Sequence, residues 1–219
     1  GAQRQKILLY LLYLFCGLAF LAKGLIGIVF PFGILVVWLI VSRRWREIPA
    51  LLSPIGLLLL LAVVLPWLVL VQRANPDFFR FFFIQEHLLR YTTRLHDRYE
   101  PFYYYLPVLL AGTLPWCAFL PATLPGLWKR IGGAFGSAEK RFLFTWIGFI
   151  VLFFSASSSK LVPYLAPVFP PLALCFGHLF SLGEEAAAAG GWTRPARGYR
   201  MTALLMALLL MALLLAPLF

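Results

Sequence analysis

The chain has 219 residues, of which 62% are hydrophobic and 12% charged, and its formal net charge is +11. At a mean hydropathy of +0.88, a water-soluble fold would lack the polar residues to cover its apolar surface, so the solvent must be lipid. The apolar runs are continuous and lack the in-out alternation of an outer-membrane barrel, which leaves an all-α fold: a polytopic bundle of transmembrane helices.

A helix needs roughly 20 mostly apolar residues to cross the hydrocarbon core. In chain order the candidate segments are 7–22, 25–41, 51–71, 102–128, 142–157, 161–180 and 201–219, about seven spans. Lys and Arg collect in alternate joints: Arg4 and Lys6; Arg43, Arg44 and Arg46; Lys129, Arg130, Lys140 and Arg141; Arg194, Arg197 and Arg200. The positive-inside rule assigns these joints to the cytoplasm. Anchoring against anionic inner-leaflet lipid then accounts for most of the positive charge, and no nucleic acid is needed. Positions 181–200 read as a cytoplasmic linker, with a flexible low-complexity stretch at 186–191. Cys16, Cys117 and Cys175 lie in apolar runs and show no metal-ligand spacing. The chain starts without methionine and ends in an apolar run, as expected of one transmembrane domain, 1–219, within a longer protein.

The opposite joints hold Lys23, the segment 72–101 and the turn 155–164, so polar features far apart in sequence face away from the cytoplasm together. The loop 73–100 interleaves charged residues with Phe78, Phe79, Phe81, Phe82, Phe83 and Ile84. Asn75, Pro76 and Asp77 are suited to open a helix, since Asn or Asp accepts from free backbone N–H groups and Pro fits the first turn. The aromatic run after them reads as an amphipathic helix lying in the interface.

Three features can carry chemistry. His87 follows Glu86 and lies one helical turn before Arg90, so an imidazole able to ligate a divalent metal shares a face with a guanidinium suited to phosphate. The plain alternative is a surface histidine beside an arginine that reaches lipid headgroups. Lys23 is an ionisable group at membrane depth, which is expensive and marks a functional candidate; otherwise Lys23 and Gly24 simply close a helical hairpin. In the serine turn before Lys160 and Tyr164, small residues leave backbone N–H groups approachable by an anion, and Lys160 adds a point charge. Pro163, Pro167, Pro170 and Pro171 then fit a discontinuous membrane segment lining a cavity. No phosphate-binding loop, dinucleotide fingerprint, HExxH or GxSxG occurs.

The ordered set LAKGL (21–25), PW (66–67), NPDFFRFFFIQEHLLRY (75–91), YYLP (104–107), LPW (114–116) and SSKLVPY (158–164) resembles the aminoarabinose transferases of lipid A and the wider protein-mannosyltransferase-like family. The likeness covers about positions 7–180. It implies a GT-C fold in the bacterial inner membrane and transfer of a sugar from a polyprenyl (undecaprenyl) phosphate donor to a lipid or protein acceptor on the periplasmic face. It also implies that Lys23, Arg90, Lys160 and Tyr164 help to hold the donor phosphate. His87 becomes a candidate ligand for a divalent metal such as zinc. The family carries its principal acidic residues in a first external loop that nothing here matches, so no catalytic carboxylate is assigned, and Asp77, Glu86 and Asp97 are not put in that role. A transporter or flippase of lipid-linked sugars is the alternative, but it would place its polar groups near the midplane. A purely structural membrane subunit is a third.

Overall fold

Between two apolar runs that would otherwise join into one overlong helix stand Lys23 and Gly24, and there the chain reverses. In the computed structural model, which describes residues 1–89, 91, 100–119, 137–188 and 194–215, helix α1 (Ala2–Lys23) ends on Gly24. Gly24 has φ 74°, a left-handed conformation that glycine adopts without a Cβ penalty, and its N–H donates to Phe20 O at 2.7 Å. Helix α2 (Ile26–Val41) then runs back along α1. The return is close: a Cβ on Gly27 would stand 2.5 Å from the Ala19 carbonyl carbon and 2.6 Å from Phe20 N. Lipid supplies no hydrophobic drive between helices, so backbone contact across small residues provides the packing.

Helix α3 (Pro54–Ala74) completes the first layer. Its 21 residues rise about 31 Å at 1.5 Å each, the thickness of a hydrocarbon core. Ser53 caps it by accepting from Gly56 N at 3.2 Å, and Pro54 takes the first helical position. Gly17 faces Val63 and Gly56 faces the Tyr13 ring, so α3 runs parallel to α1. The buried core between them is Tyr13, Cys16, Phe20, Leu60, Val64 and Leu68. The Tyr13 hydroxyl donates to Leu51 O at 2.8 Å, which satisfies the one polar atom this aromatic brings into the core.

The structure divides into two units: 1–101 with 148–161, and 102–147 with 162–219. In the first, the end of helix α4 (Ala138–Ala156) lies antiparallel to α2, with Phe149 against Gly33 and Phe153 and Phe154 edge-on to Phe30 at 5.2 and 5.3 Å between centroids. In the second, helix α5 (Tyr105–Gly112) brings Gly112 against the Phe169 ring, and helix α6 (Phe169–Ala188) packs along helix α7 (Arg194–Leu215). Tyr105, Leu165, Val168 and Thr202 are fully buried there.

No strand occurs among the described residues, as the all-α expectation requires. Among the described residues three helices are long and apolar enough to cross a membrane, Gln3–Lys23, Pro54–Ala74 and Val162–Ser181, with Ile26–Val41 a shorter apolar one. Large apolar side chains face outward along them, Phe15 at 61% and Leu58 at 66% exposure, the arrangement of a lipid-solvated bundle.

Three sequence expectations change. The segment expected to span 102–128 is interrupted: α5 stops at Gly112, and a short 3-10 helix, Trp116–Phe119, resumes after Pro115, which has no N–H to continue the ladder. Positions 120–128 lie outside the described residues. The expected linker at 181–200 is helical at both ends, because α6 continues to Ala188 through alanines of high helix propensity and α7 begins at Arg194. Finally, the helix opens directly after Asn75, Pro76 and Asp77 as expected, with Asp77 O accepting from Phe81 N at 3.0 Å, but among the described residues neither Asn75 nor Asp77 caps it with its side chain. Gln72, in the last turn of α3, does so, its Oε1 accepting from Phe79 N at 3.0 Å while its Nε2 donates to Pro76 O at 2.6 Å.

Candidate functional site

The antiparallel register of the first unit fixes which sequence features meet. The C-terminal end of α1, the N-terminal end of α2, the C-terminal end of α3 and the C-terminal end of α4 all lie at one end of the layer. Arg4, Lys6, Arg43, Arg44 and Arg46 lie at the other, where Arg44 and Glu47 form an exposed bidentate pair at 2.7 and 2.6 Å.

At the first end, the aromatic run after Asn75 folds as a helix of π character over Arg80–Leu89. Phe78 and Phe82 stack at 5.2 Å and close over Trp67, and Phe82 meets Phe20 edge-on at 5.9 Å. Phe79, Phe81 and Ile84 stay exposed on its other side. This is the expected amphipathic element, with one aromatic edge packed on α1 and α3.

Lys23 sits one turn beyond Phe20 and is exposed. It therefore shares this end with the aromatic helix. Glu86 is half-buried; Arg90 and the side chain of His87 lie outside the described residues, as does Asp97. Among the described residues no three His, Cys, Asp or Glu side chains group as metal ligands. The His87 side chain is not one of these, so the metal assignment of His87 falls outside the described residues.

The serine turn follows α4 at the same end, and its polar groups are used internally. Ser157 N donates to Phe154 O at 3.2 Å and Ser158 N to Tyr91 O at 2.9 Å. The expectation that the turn presents these two N–H groups to an anion is thus corrected: both are spent on carbonyls. Ser157 Oγ donates to Ser159 O at 3.1 Å. Lys160, only 5% exposed, points inward, its Nζ donating to Ser157 O at 2.7 Å and Glu100 O at 2.9 Å. Burial lowers the pKa of this ammonium, and the nearby Glu100 carboxylate partly opposes the shift. Tyr164, in the second unit, is half-buried on the 3-10 helix Val162–Val168.

Sequence reasoning passed over Tyr91. Its carbonyl accepts from Ser158, and its hydroxyl donates to Phe153 O at 3.0 Å. The available signal was a hydroxyl-bearing ring closing a run of phenylalanines, since a tyrosine in an apolar setting needs a partner for its O–H.

No family model matches the chain. Among curated proteins it is similar to the undecaprenyl phosphate-alpha-4-amino-4-deoxy-L-arabinose arabinosyl transferase of Erwinia tasmaniensis, 35% identical over 203 residues, covering 90% of this chain and 36% of that protein. The protein of the same name from Aeromonas salmonicida is 34% identical over 216 residues, covering 95% and 38%. Among solved structures, the crystal structure of ArnT from Cupriavidus metallidurans bound to undecaprenyl phosphate superposes with a TM-score of 0.70 at 31% identity, over 86% of this chain and 36% of that one. The chain thus spans a little over a third of the length of the curated relatives it matches.

Proposed function

We propose, for a chain that belongs to the undecaprenyl phosphate-aminoarabinose arabinosyl transferase family and spans about a third of its members' length, a donor-binding share in a lipid-phosphate-dependent glycosyltransferase of GT-C type. The whole enzyme would sit in the bacterial inner membrane and move aminoarabinose or a related sugar from undecaprenyl phosphate to a lipid A-like or protein acceptor on the periplasmic face. The matches give no support to a lipid-linked sugar transporter.

The observation that carries this reading is the gathering of Lys23, the aromatic helix and the serine turn at one end of a lipid-solvated layer, in a chain related to such transferases over nearly its whole length. In the reaction, an acceptor oxygen attacks the anomeric carbon, the bond from that carbon to the phosphate oxygen breaks, and the departing polyprenyl phosphate takes the electron pair. A base elsewhere in the enzyme takes the acceptor's proton. Negative charge grows on the phosphate as it leaves, and cations already in place at that point favour the transition state more than the ground state. Lys23 and Arg90 are assigned that role. The assignments of Arg90, of Tyr164 as a further hydroxyl donor, and of His87 to a metal rest on sequence alone.

Native mass spectrometry of the full-length protein, extracted gently, tests the reading. Retained undecaprenyl phosphate that is lost in Lys23→Ala and in Arg90→Ala supports it. A parent protein that holds no such lipid, even with undecaprenyl phosphate added, defeats it.

A further inference from the structure

The serine turn touches both described ends of the stretch between Tyr91 and Glu100. Ser158 N–H holds the Tyr91 carbonyl, the Tyr91 hydroxyl holds Phe153 O at the end of α4, and the Lys160 ammonium bridges Ser157 O and Glu100 O. Three hydrogen bonds of 2.9 to 3.0 Å therefore tie Tyr91 and Glu100 to the end of α4 and its turn, some sixty positions away in sequence, and a fourth, from Lys160 to Ser157 O at 2.7 Å, fixes the ammonium within the turn.

Each donor is chemically suited to this task. An ammonium donates in several directions from one point, and charge-assisted bonds to carbonyls are roughly twice as strong as neutral ones. Burying that charge would be costly without such acceptors, and here the acceptors are backbone oxygens that only one chain path brings together. The Lys160 side chain is buried, whereas Lys23 is exposed.

We infer that Lys160 is a positioning residue, a clasp that with Ser158 and the Tyr91 hydroxyl fixes Tyr91 and Glu100 against the end of α4 and the turn after it, and that it does not itself contact the donor phosphate. This deepens the reading above and rests on it for its functional consequence: the clasp sets where Tyr91, next in the chain to the donor-binding candidate Arg90, stands.

The test uses the full-length protein and two substitutions of opposite character. Lys160→Met removes the charge and both bonds. Lys160→Arg keeps the charge but puts a planar, longer group where a compact ammonium fits. Hydrogen exchange is read on peptides covering 157–161 and 100–104 without added lipid, and retention of added undecaprenyl phosphate is read by native mass spectrometry. The clasp predicts about tenfold faster exchange in both peptides for both variants, with retention weakened alike. If Lys160→Arg retains the lipid as the parent does while Lys160→Met loses it, Lys160 is a phosphate ligand and the inference is overturned. Unchanged exchange in Lys160→Met overturns it equally. Should neither lysine variant fold, Tyr91→Phe, which removes a single oxygen, is expected to speed exchange at 157–161 about threefold, and parent-like exchange there refutes the clasp. Because the exchange arm needs no lipid, a parent protein that fails to bind undecaprenyl phosphate would sink the proposed function while leaving the clasp to be decided separately.

Discussion

The α1–α2 hairpin and the serine turn hold the same layer together by opposite means. At the hairpin, Gly27 lets two backbones touch, and the contact is backbone on backbone. At the turn, the groups that meet are an ammonium, amides and a phenol hydroxyl, all directed at carbonyls. The contrast follows from the solvent. Between spans, lipid competes for apolar surface, so only closer packing favours one helix over a lipid chain. At the interface, water is present but the backbone leaves regular helix, so its polar groups need partners of their own. Steric exclusion should therefore fail abruptly and hydrogen bonding gradually.

The largest effect is expected at the hairpin. Gly27→Leu places a side chain into the Ala19–Phe20 backbone, which no rotamer relieves. Overpacking against backbone should cost more than about 3 kcal/mol, seen as loss of the folded fraction in detergent; a variant that melts like the parent would show that the helices do not meet as described.

At the turn, Lys160→Met should cost about 2 kcal/mol, the net worth of charge-assisted hydrogen bonds less the burial cost they offset. It should also change the pH dependence. The folded-state pKa is lowered, so between it and the ordinary lysine value the unfolded chain binds the extra proton, and the lysine's contribution to stability rises with pH. Unfolding curves of parent and Lys160→Met taken across the alkaline range should therefore lie further apart at high pH than at neutral pH; a constant separation would remove the buried-ammonium account.

A smaller step, about 1 kcal/mol, is expected for Tyr13→Phe, which leaves the ring packed on Gly56 but strips the donor from Leu51 O. Thermal unfolding would resolve it, and a larger loss would mean the ring itself had moved. Arg44→Gln removes an exposed ion pair and should leave unfolding unchanged.

What the sequence discloses divides along the same line. Apolar run length announces the lipid solvent, and a lysine-glycine pair between two runs marks the hairpin, because these are local properties. The motif set also points to the family that the relatives bear out. By contrast, Gln72 capping the next helix, Tyr91 meeting Ser158 and Lys160 meeting Glu100 depend on how separate segments come to lie together. A serine-rich stretch looks equally suited to receive an anion or to bind a neighbouring carbonyl, and composition cannot distinguish the two. The break after Gly112 was locally visible as Pro115, yet hydropathy outweighed it in the span assignment.

The Gln72 cap also couples two mechanical elements. One side chain, in the last turn of α3, holds both Pro76 O and Phe79 N, so the aromatic helix is geared to α3 instead of hinged from it. When a membrane thins or thickens, a span about as long as the hydrocarbon core adjusts by tilting. Here that tilt would swing Phe79 and Phe81 toward or away from the headgroups, making the depth of the external helix a readout of bilayer thickness.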